Sequence, residues 1–333
     1  MSNSIIENKM NKSGLMQDGP EEKPIISVIM SVYNESESQL DRSIRSILNQ
    51  SFTDFEFLIV NDNPENHLID DVLKRYEDPR IRIIRNKKNI GLTLSLNKAI
   101  EASRGEYIAR MDADDCSLKD RLKHQFDYMQ ENGLDLLGSY IYLVNEKGMI
   151  YAKKEFPVSS GIISFYLNFE NVMAHPTWFV KRDVYDKVGL YRNIPYCEDY
   201  DFLLRAKKRG IRFGNIPEYL FNYTKRQNSI TESSGNKHFY NSLILLDHYS
   251  DLEGFDEQHF ASYVQSKDYE TFLFKIGNYQ NAMAELRSDP SSLFRKGVLW
   301  KMLGNKYFYL FAFKKAAKLL LDPVDELKRK KVS

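Results

Sequence analysis

The feature that most constrains this sequence is an alternation of apolar runs and helical patterns between residues 24 and 115. Four runs are short, apolar and rich in β-branched residues, as expected of strands buried on both faces of a parallel sheet. They span residues 25–32, 55–60, 81–84 and 107–112. Between them, apolar residues at helical spacing predict helices over residues 37–49, 69–76 and 92–103. The alternation predicts an α/β fold with a mostly parallel central sheet flanked by helices.

Polar residues stand where three of these strands end. Tyr33 and Asn34 follow the first strand, Asp62 closes the second, and the fourth ends at Asp112. Ligands of open parallel sheets bind beyond the carboxyl ends of the strands, so we expect a binding site at this edge. The first strand is followed by no glycine, whereas a nicotinamide-dinucleotide domain carries Gly-X-Gly-X-X-Gly there. The sequence therefore disfavours a dehydrogenase. It also disfavours a sugar nucleotidyltransferase, because that class needs a glycine-rich phosphate loop after the first strand.

Three carboxylates, those of Asp112, Asp114 and Asp115, follow the fourth strand directly. Burying unpaired charge is costly, unless a divalent cation lies between the carboxylates. One or two carboxylates, with phosphate and water oxygens, are typical ligands for Mg²⁺ or Mn²⁺ on a nucleotide diphosphate. The alternative is a helix N-cap at Asp115 or Ser117. That alternative accounts for one carboxylate and not for three.

Composition excludes several classes of protein. The chain has 333 residues, of which 42% are hydrophobic, and its formal net charge of +1 gives no general case for nucleic-acid binding. Its two cysteines provide no disulfide framework, which fits a reducing cytoplasm. No apolar run reaches the roughly 18–20 residues of a membrane span, and the start of the chain lacks the apolar core of a signal peptide. Residues 1–23 are polar and are expected to be a flexible N-terminus.

Four segments resemble the nucleotide-sugar half of glycosyltransferase family 2, in that family's order and spacing. They are residues 26–34, 59–62, 89–97 and 105–115. The resemblance covers about residues 24–231 and is specific to the family, not to one donor or acceptor. It implies the Rossmann-like GT-A fold over residues 24–234, with a nucleotide-sugar half over 24–115 and an acceptor half over 116–234. A helical C-terminal region is expected over residues 235–333.

By this resemblance, strand ends and the turns after them line the nucleotide-sugar pocket. The residues concerned are Val32, Tyr33, Asn34, Asp62, Asn89, Gly91, Asn97, Asp112 and Ala113. Tyr33 is available to stack on the base, with a core tyrosine as the alternative. Asp62 can accept the imide N–H of uracil, which favours a UDP-sugar; its alternative is an Asx turn before Pro64.

The sequence departs from the family pattern at two of these motifs. Asn63-Pro64 follows Asp62, where the family more often has Gly-Ser or Gly-Thr. Leu96 precedes Asn97, where the family often has an arginine. A helper for the diphosphate is then either missing or comes from elsewhere, such as Arg110 or Arg121, with a surface or salt-bridged role as the alternative for each.

The resemblance also implies which residues hold a cation and which residue takes up the proton during transfer. Asp114 and Asp112 are expected to hold Mn²⁺ or Mg²⁺, which neutralises the leaving diphosphate, with Asp115 as a supporting group. Asp199 is expected to be the general base of an inverting transfer, and Glu198 its orienter or an acceptor contact. The alternative for this acidic pair is a favourable helix N-terminus without a catalytic role.

Acceptor contacts are expected from His175 and Trp178, for which a structural histidine and a core tryptophan are the alternatives. A loop with Lys225, Arg226 and Ser229 is expected to close over the diphosphate. Residues 294–321 mix lysines with aromatic residues, which is typical of a helix on an anionic membrane and also of a helical pair packed on the catalytic domain.

The resulting expectation is a cytoplasmic, metal-dependent, inverting glycosyltransferase of the hexosyltransferase type, peripheral on the inner face of the cell membrane. It moves one sugar from a UDP-sugar to a glycan or lipid-linked glycan in surface polysaccharide or glycoconjugate synthesis. The Gln-X-X-Arg-Trp signature of processive polymerases is absent, which favours a non-processive enzyme. The alternative is a catalytically inactive module that binds nucleotide or glycan.

Overall fold

The computed structural model of the protein describes residues 23–225 and 237–288. The predicted alternation is present in its first part. The elements are β1 (Ile26–Val32), α1 (Glu37–Leu48), β2 (Phe55–Asn61), α2 (His67–Leu73), β3 (Ile81–Arg85), α3 (Leu92–Ala102) and β4 (Tyr107–Asp112). All pairings in the order β3-β2-β1-β4 are parallel, and the register places Val32 beside Asn61 and Ser31 beside Asp112. The polar strand ends therefore share one edge of the sheet, as predicted.

The second part of the chain extends the same sheet with mixed strand directions. Its elements are β5 (Cys116–Ser117), α4 (Arg121–Asn132), β6 (Leu136–Val144), β7 (Ile150–Lys154), α5 (Ser160–Tyr166), β8 (Phe179–Lys181), α6 (Arg182–Val188), α7 (Glu198–Lys208) and β9 (Phe213–Thr224). The order continues β4-β8-β6-β9-β5, with β7 on β6. The strand β8 is antiparallel to both of its neighbours, which ends the run of parallel strands at β4, and β6 and β9 form a further parallel pair.

Apolar layers cover both faces of the parallel strands, which explains why the strands read as unbroken hydrophobic runs. On one face, Val28 and Met30 belong to the layer that contains Ile44 of α1. On the other, Ile29 and Leu58 belong to the layer that contains α3. The helix that follows the acidic cluster begins at Arg121, because residues 116–117 form the short strand β5 on β9.

Three further helices follow within residues 237–288: α8 (Lys237–Asp247), α9 (Glu257–Tyr263) and α10 (Lys267–Ser288). Ile244 of α8 and Phe260 of α9 join the apolar cluster that contains Leu203 of α7. In the described parts of the chain, no helix is both long enough and apolar enough to cross a bilayer. Residues 1–22 of the predicted N-terminal segment, Arg226 and Ser229 of the predicted loop, and the 294–321 stretch lie outside the described residues.

Candidate active site

A cluster of three carboxylates occupies the carboxyl end of β4. The side chains of Asp112, Asp114 and Asp115 each offer an oxygen, and these oxygens lie within 4.8 Å of one another. Asp115 is buried, and burial together with the charges of Asp114 and Asp112 raises its pKa well above the usual range. Such crowding of carboxylates is unfavourable without a cation, and oxygen ligands suit Mg²⁺ or Mn²⁺. The residues present therefore fit a divalent cation.

The alternative in which Asp115 or Ser117 caps a helix is not what the structure has. Asp120 is the residue that precedes α4. The Asp115 carboxylate instead accepts a hydrogen bond from the Thr224 backbone N–H at 2.6 Å, at the end of β9. The Thr224 hydroxyl donates to the backbone oxygen of Asp114 at 2.7 Å. Strand β9 thus holds the cluster through two hydrogen bonds from Thr224.

Arg110 lies beside the cluster, and Arg121 is enclosed beneath it. The Arg110 guanidinium forms a bidentate salt bridge with Asp112, with distances of 2.8 Å from Nη1 to Oδ2 and 2.6 Å from Nη2 to Oδ1. The Arg121 guanidinium donates to the Ser117 hydroxyl, the Gln125 side chain and the Arg110 backbone oxygen. Burial and the nearby Arg110 lower the pKa of Arg121 to about 9. Arg121 is 0% exposed, and Arg110 is 3% exposed and engaged with Asp112, so a diphosphate contact by Arg110 stays a prediction.

Tyr33 presents its ring to solvent at the end of β1. It is 47% exposed, whereas the preceding Val32 is fully buried. The Tyr33 backbone is held on both sides: its N–H donates to the Glu35 carboxylate at 2.9 Å, and its oxygen accepts from the Asn63 side chain at 3.0 Å. The alternative of a core tyrosine is therefore excluded. Asn34 is likewise exposed, so both residues are accessible to a ligand at this edge.

Asp62 is buried and organises the turn after β3. Its Oδ1 accepts from the Asn86 side chain at 2.8 Å and the Ile90 N–H at 2.9 Å, and its Oδ2 accepts from the Gly91 N–H at 2.9 Å. Asn89 adds a bond to the same Gly91 N–H, at 2.9 Å. Gly91 has a φ of 87°, a backbone conformation that residues other than glycine rarely adopt. Three of about four acceptor positions on the buried Asp62 carboxylate are thus occupied within the protein.

Two details at these turns differ from expectation. The Asx turn before Pro64 is made by Asn61, whose side-chain oxygen accepts from the Asn63 N–H at 2.9 Å, and not by Asp62. Ala113 is buried, so only its backbone is available to a ligand.

Asn97 is partly exposed, but its amide is engaged within the protein, and its expected contact with the donor stays a prediction. Its Nδ2 donates to the Tyr191 backbone oxygen at 2.8 Å, and its Oδ1 accepts from the Tyr191 N–H at 3.0 Å. Both ends of the amide are used because the segment after α6 lies against α3. Asn97 therefore joins the first half of the chain to the segment that leads into α7.

Glu198 and Asp199 open α7, and Asp199 is held by a residue that the sequence did not indicate. The Asn171 side chain donates to Asp199 Oδ2 at 2.7 Å. The Met173 N–H donates to Asn171 Oδ1 at 2.8 Å, which directs the amide nitrogen towards Asp199. Burial raises the pKa of Asp199, while the charge of His238, the Asn171 bond and Arg110 act against that rise. Burial and the charge of Asp199 raise the pKa of Glu198 to about 7.

The two residues expected to contact an acceptor are both buried. Trp178 is 0% exposed and packs with ring centroids 4.5 Å from His175 and 5.9 Å from Phe202. It has no surface on which a sugar can stack, so the core alternative is the correct one. His175 Nε2 lies 3.0 Å from the Tyr191 hydroxyl, and its Nδ1 lies 4.0 Å from Glu198. Burial and Arg110 lower the pKa of His175, which favours a neutral ring behind Glu198.

Comparisons with known proteins agree with this geometry. The sequence model described as Glycosyl transferase family 2 matches residues 27–189. An uncharacterized glycosyltransferase of Methanocaldococcus jannaschii is 38% identical over 245 residues, which cover 71% of this chain and 83% of that protein. The chain belongs to glycosyltransferase family 2. The O-antigen biosynthesis glycosyltransferase WbnJ of Escherichia coli is also 38% identical, over 63% of this chain and 83% of that protein.

A solved structure supports the GT-A fold of this family 2 glycosyltransferase. S. aureus TarS 1–349, in complex with UDP-GlcNAc, aligns with a TM-score of 0.56 and 22% identity, over 67% of this chain and 66% of that one. The family match, residues 27–189, includes the acidic cluster, and the Glu198-Asp199 pair follows it in the chain. The protein is therefore an enzyme that transfers glycosyl groups.

Proposed function

We propose that this glycosyltransferase moves one sugar from a UDP-sugar to a hydroxyl group of a glycan or lipid-linked glycan, with inversion and with Mn²⁺ or Mg²⁺. The observation that carries the proposal is the carboxylate cluster of Asp112, Asp114 and Asp115 at the strand edge that also presents Tyr33. The TarS structures with UDP-GlcNAc and with UDP support a uridine nucleotide. The names of WbnJ and of the amylovoran biosynthesis enzyme AmsE support a polysaccharide product.

The donor is held by residues at the carboxyl ends of β1, β2 and β4. Tyr33 stacks on the base, and the remaining acceptor position of Asp62 takes the imide N–H of uracil. Asp112 and Asp114 would hold the cation, which would supply positive charge to the leaving diphosphate. Arg110 keeps Asp112 in place through this bidentate salt bridge.

Asp199 takes the proton from the attacking hydroxyl while that oxygen bonds to the anomeric carbon, opposite the diphosphate. The base must be ionised, and both the Asn171 hydrogen bond and the charge of Arg110 favour its ionised form. Glu198 stands beside it at the start of α7, where it orients the base or the acceptor. One base and no processive signature agree with transfer of a single sugar at each encounter.

Calorimetric titration with UDP and, separately, GDP tests the donor site, with and without Mn²⁺. We expect UDP to bind in the presence of Mn²⁺ and the Asp114→Asn variant to lose this binding. Asp127→Asn is the control, because Asp127 pairs with Lys123 on the exposed face of α4. Tighter binding of GDP contradicts the role given to Asp62, and no metal-dependent binding contradicts the proposal. UDP binding without turnover on any UDP-sugar identifies an inactive binding module instead.

Contact of residues 294–321 with the inner face of the cell membrane stays a prediction. Sedimentation with anionic vesicles, compared between the full chain and a chain ending at residue 288, measures it directly.

A further inference from the structure

The turn that leads into α7 contains a residue in the left-handed region. Among the described residues, Tyr196 is the one non-glycine with a positive φ, at 62°. L-residues avoid this region because Cβ approaches the backbone oxygen, and such a residue persists only where its surroundings hold it. Tyr196 lies two residues before Glu198 and three before Asp199, so its conformation sets the direction in which α7 enters the site.

The first turns of α8 contact this turn on both sides of Tyr196. The Asn241 side chain donates to the Pro195 backbone oxygen at 2.7 Å. The Cys197 thiol lies 3.4 Å from the His238 backbone oxygen and 3.4 Å from the Ser242 hydroxyl. The Lys237 ammonium stands 5.7 Å from the centre of the Tyr196 ring. The helix α8 therefore contacts left-handed Tyr196 and both of its chain neighbours, Pro195 and Cys197.

The helices after residue 237 also hold the neighbouring parts of the same segment. Arg192 donates to the Leu252 backbone oxygen at 3.0 Å, and Glu257 accepts from the Asn193 N–H at 2.5 Å. At the far end of α7, the Lys208 ammonium donates to the backbone oxygens of residues 249 and 250, at 3.1 and 3.0 Å. The contacts between these helices and the rest of the chain are thus concentrated on α7 and the segment before it.

We propose that α8 positions the acidic pair at the start of α7, and that Asn241 is the positioning residue. Its bond to Pro195 keeps Tyr196 left-handed, and the turn then directs Asp199 towards Asn171. The proposal rests on the function proposed for Asp199. Ordinary packing of α8 on the catalytic domain gives a different expectation: loss of Asn241 then lowers stability and leaves the site unchanged.

Asn241→Leu removes the donor at nearly constant volume. We expect kcat to fall by up to about tenfold, the effect of one hydrogen bond on a transition state, while KM for the donor stays the same. Faster hydrogen exchange is expected in the same variant at the backbone N–H groups of Cys197 and Asp201, which donate to the Ile194 and Cys197 backbone oxygens at the turn. The control is Ile244→Val, which loses apolar packing in the same helix without touching the turn. It is expected to lower thermal stability with kcat and exchange unchanged.

A second substitution separates positioning from packing. Glycine adopts the left-handed region without strain, so a Tyr196→Gly chain no longer needs to be held there. In that background we expect Asn241→Leu to lower kcat much less than it does in the native chain. An equal fold-loss in both backgrounds overturns the proposal.

Hydrogen exchange keeps the inference distinct from the proposed function. If the native protein transfers no sugar, the function fails while exchange at Cys197 and Asp201 still reports on the turn. Unchanged exchange in Asn241→Leu overturns the inference whatever the activity. If that variant does not fold, Asn241→Ser provides the same comparison, because its hydroxyl is too short to reach the Pro195 oxygen.

Discussion

Replacing Asn171 with leucine tests the proton transfer most directly. The substitution removes the amide donor that lies 2.7 Å from Asp199 Oδ2 and keeps a side chain of similar size. A hydrogen bond to a charged group contributes about 1.5–3 kcal/mol. Because one pKa unit corresponds to about 1.4 kcal/mol, the loss raises the pKa of Asp199 by about 1–2 units. Burial has already raised this pKa above its usual value, so the two effects have the same sign.

The assay is the pH dependence of kcat/KM for the donor, measured with a saturating concentration of acceptor. A general base works in its ionised form, so activity falls as the pH drops through the pKa of Asp199. We expect the acid limb of the profile to move upward by about 1–2 pH units in Asn171→Leu, with a smaller loss at high pH where the base is ionised in both proteins. A structural defect lowers activity equally at every pH.

The control is Asn168→Leu, three residues earlier in the same loop. Asn168 is also half-buried and hydrogen-bonded, through the Phe165 oxygen and the Lys207 ammonium, but its recorded bonds do not include Asp199. We expect its acid limb to match that of the native enzyme. An unmoved acid limb in Asn171→Leu, or an equal shift in the control, refutes the reasoning.

Two further substitutions test the donor side. Tyr33→Ala is expected to weaken UDP binding by roughly 1–3 kcal/mol in calorimetry, which is the range for loss of one aromatic ring stacked on a base. Because Tyr33 is 47% exposed, the thermal stability of the protein should stay the same. Unchanged affinity for UDP excludes stacking. Arg110→Met is expected to lower metal-free stability by about 1–3 kcal/mol, since Asp112 loses its charged hydrogen-bond donor. Mn²⁺ should then raise the melting temperature of Arg110→Met more than that of the native protein, and an equal rise in both contradicts a cation at Asp112.

The parallel strands and the site edge were predictable because both depend on local sequence. A strand buried on two faces must be apolar throughout, and its polar end must lie at the edge of the sheet. Asp112 and Tyr33 were located in this way, and the structure confirms that they share that edge. The family resemblance, which the comparisons confirm, depended on the same local segments.

The contacts that join separate loops were not predictable. Asn97 and Tyr191 are 94 residues apart, and Asn171 and Asp199 are 28 residues apart, with no periodic pattern between them. Asn97 was assigned to the donor site by the family resemblance, which gives no indication of its bonds to Tyr191. The left-handed turn at Tyr196 gave no signal either, because the usual marker of that conformation is a glycine.

The bonds from Thr224 to the acidic cluster have a consequence for how the protein is made. They reach back across 109 and 110 residues, whereas β1 to β4 lie together within residues 26–112. Synthesis runs from the N-terminus, so β1 to β4 leave the ribosome well before Thr224 does. The cluster lacks its β9 donors until Thr224 emerges. An unfinished chain therefore has all three carboxylates without the bonds that hold them, and the capacity for chemistry arrives only after most of the chain has been synthesised.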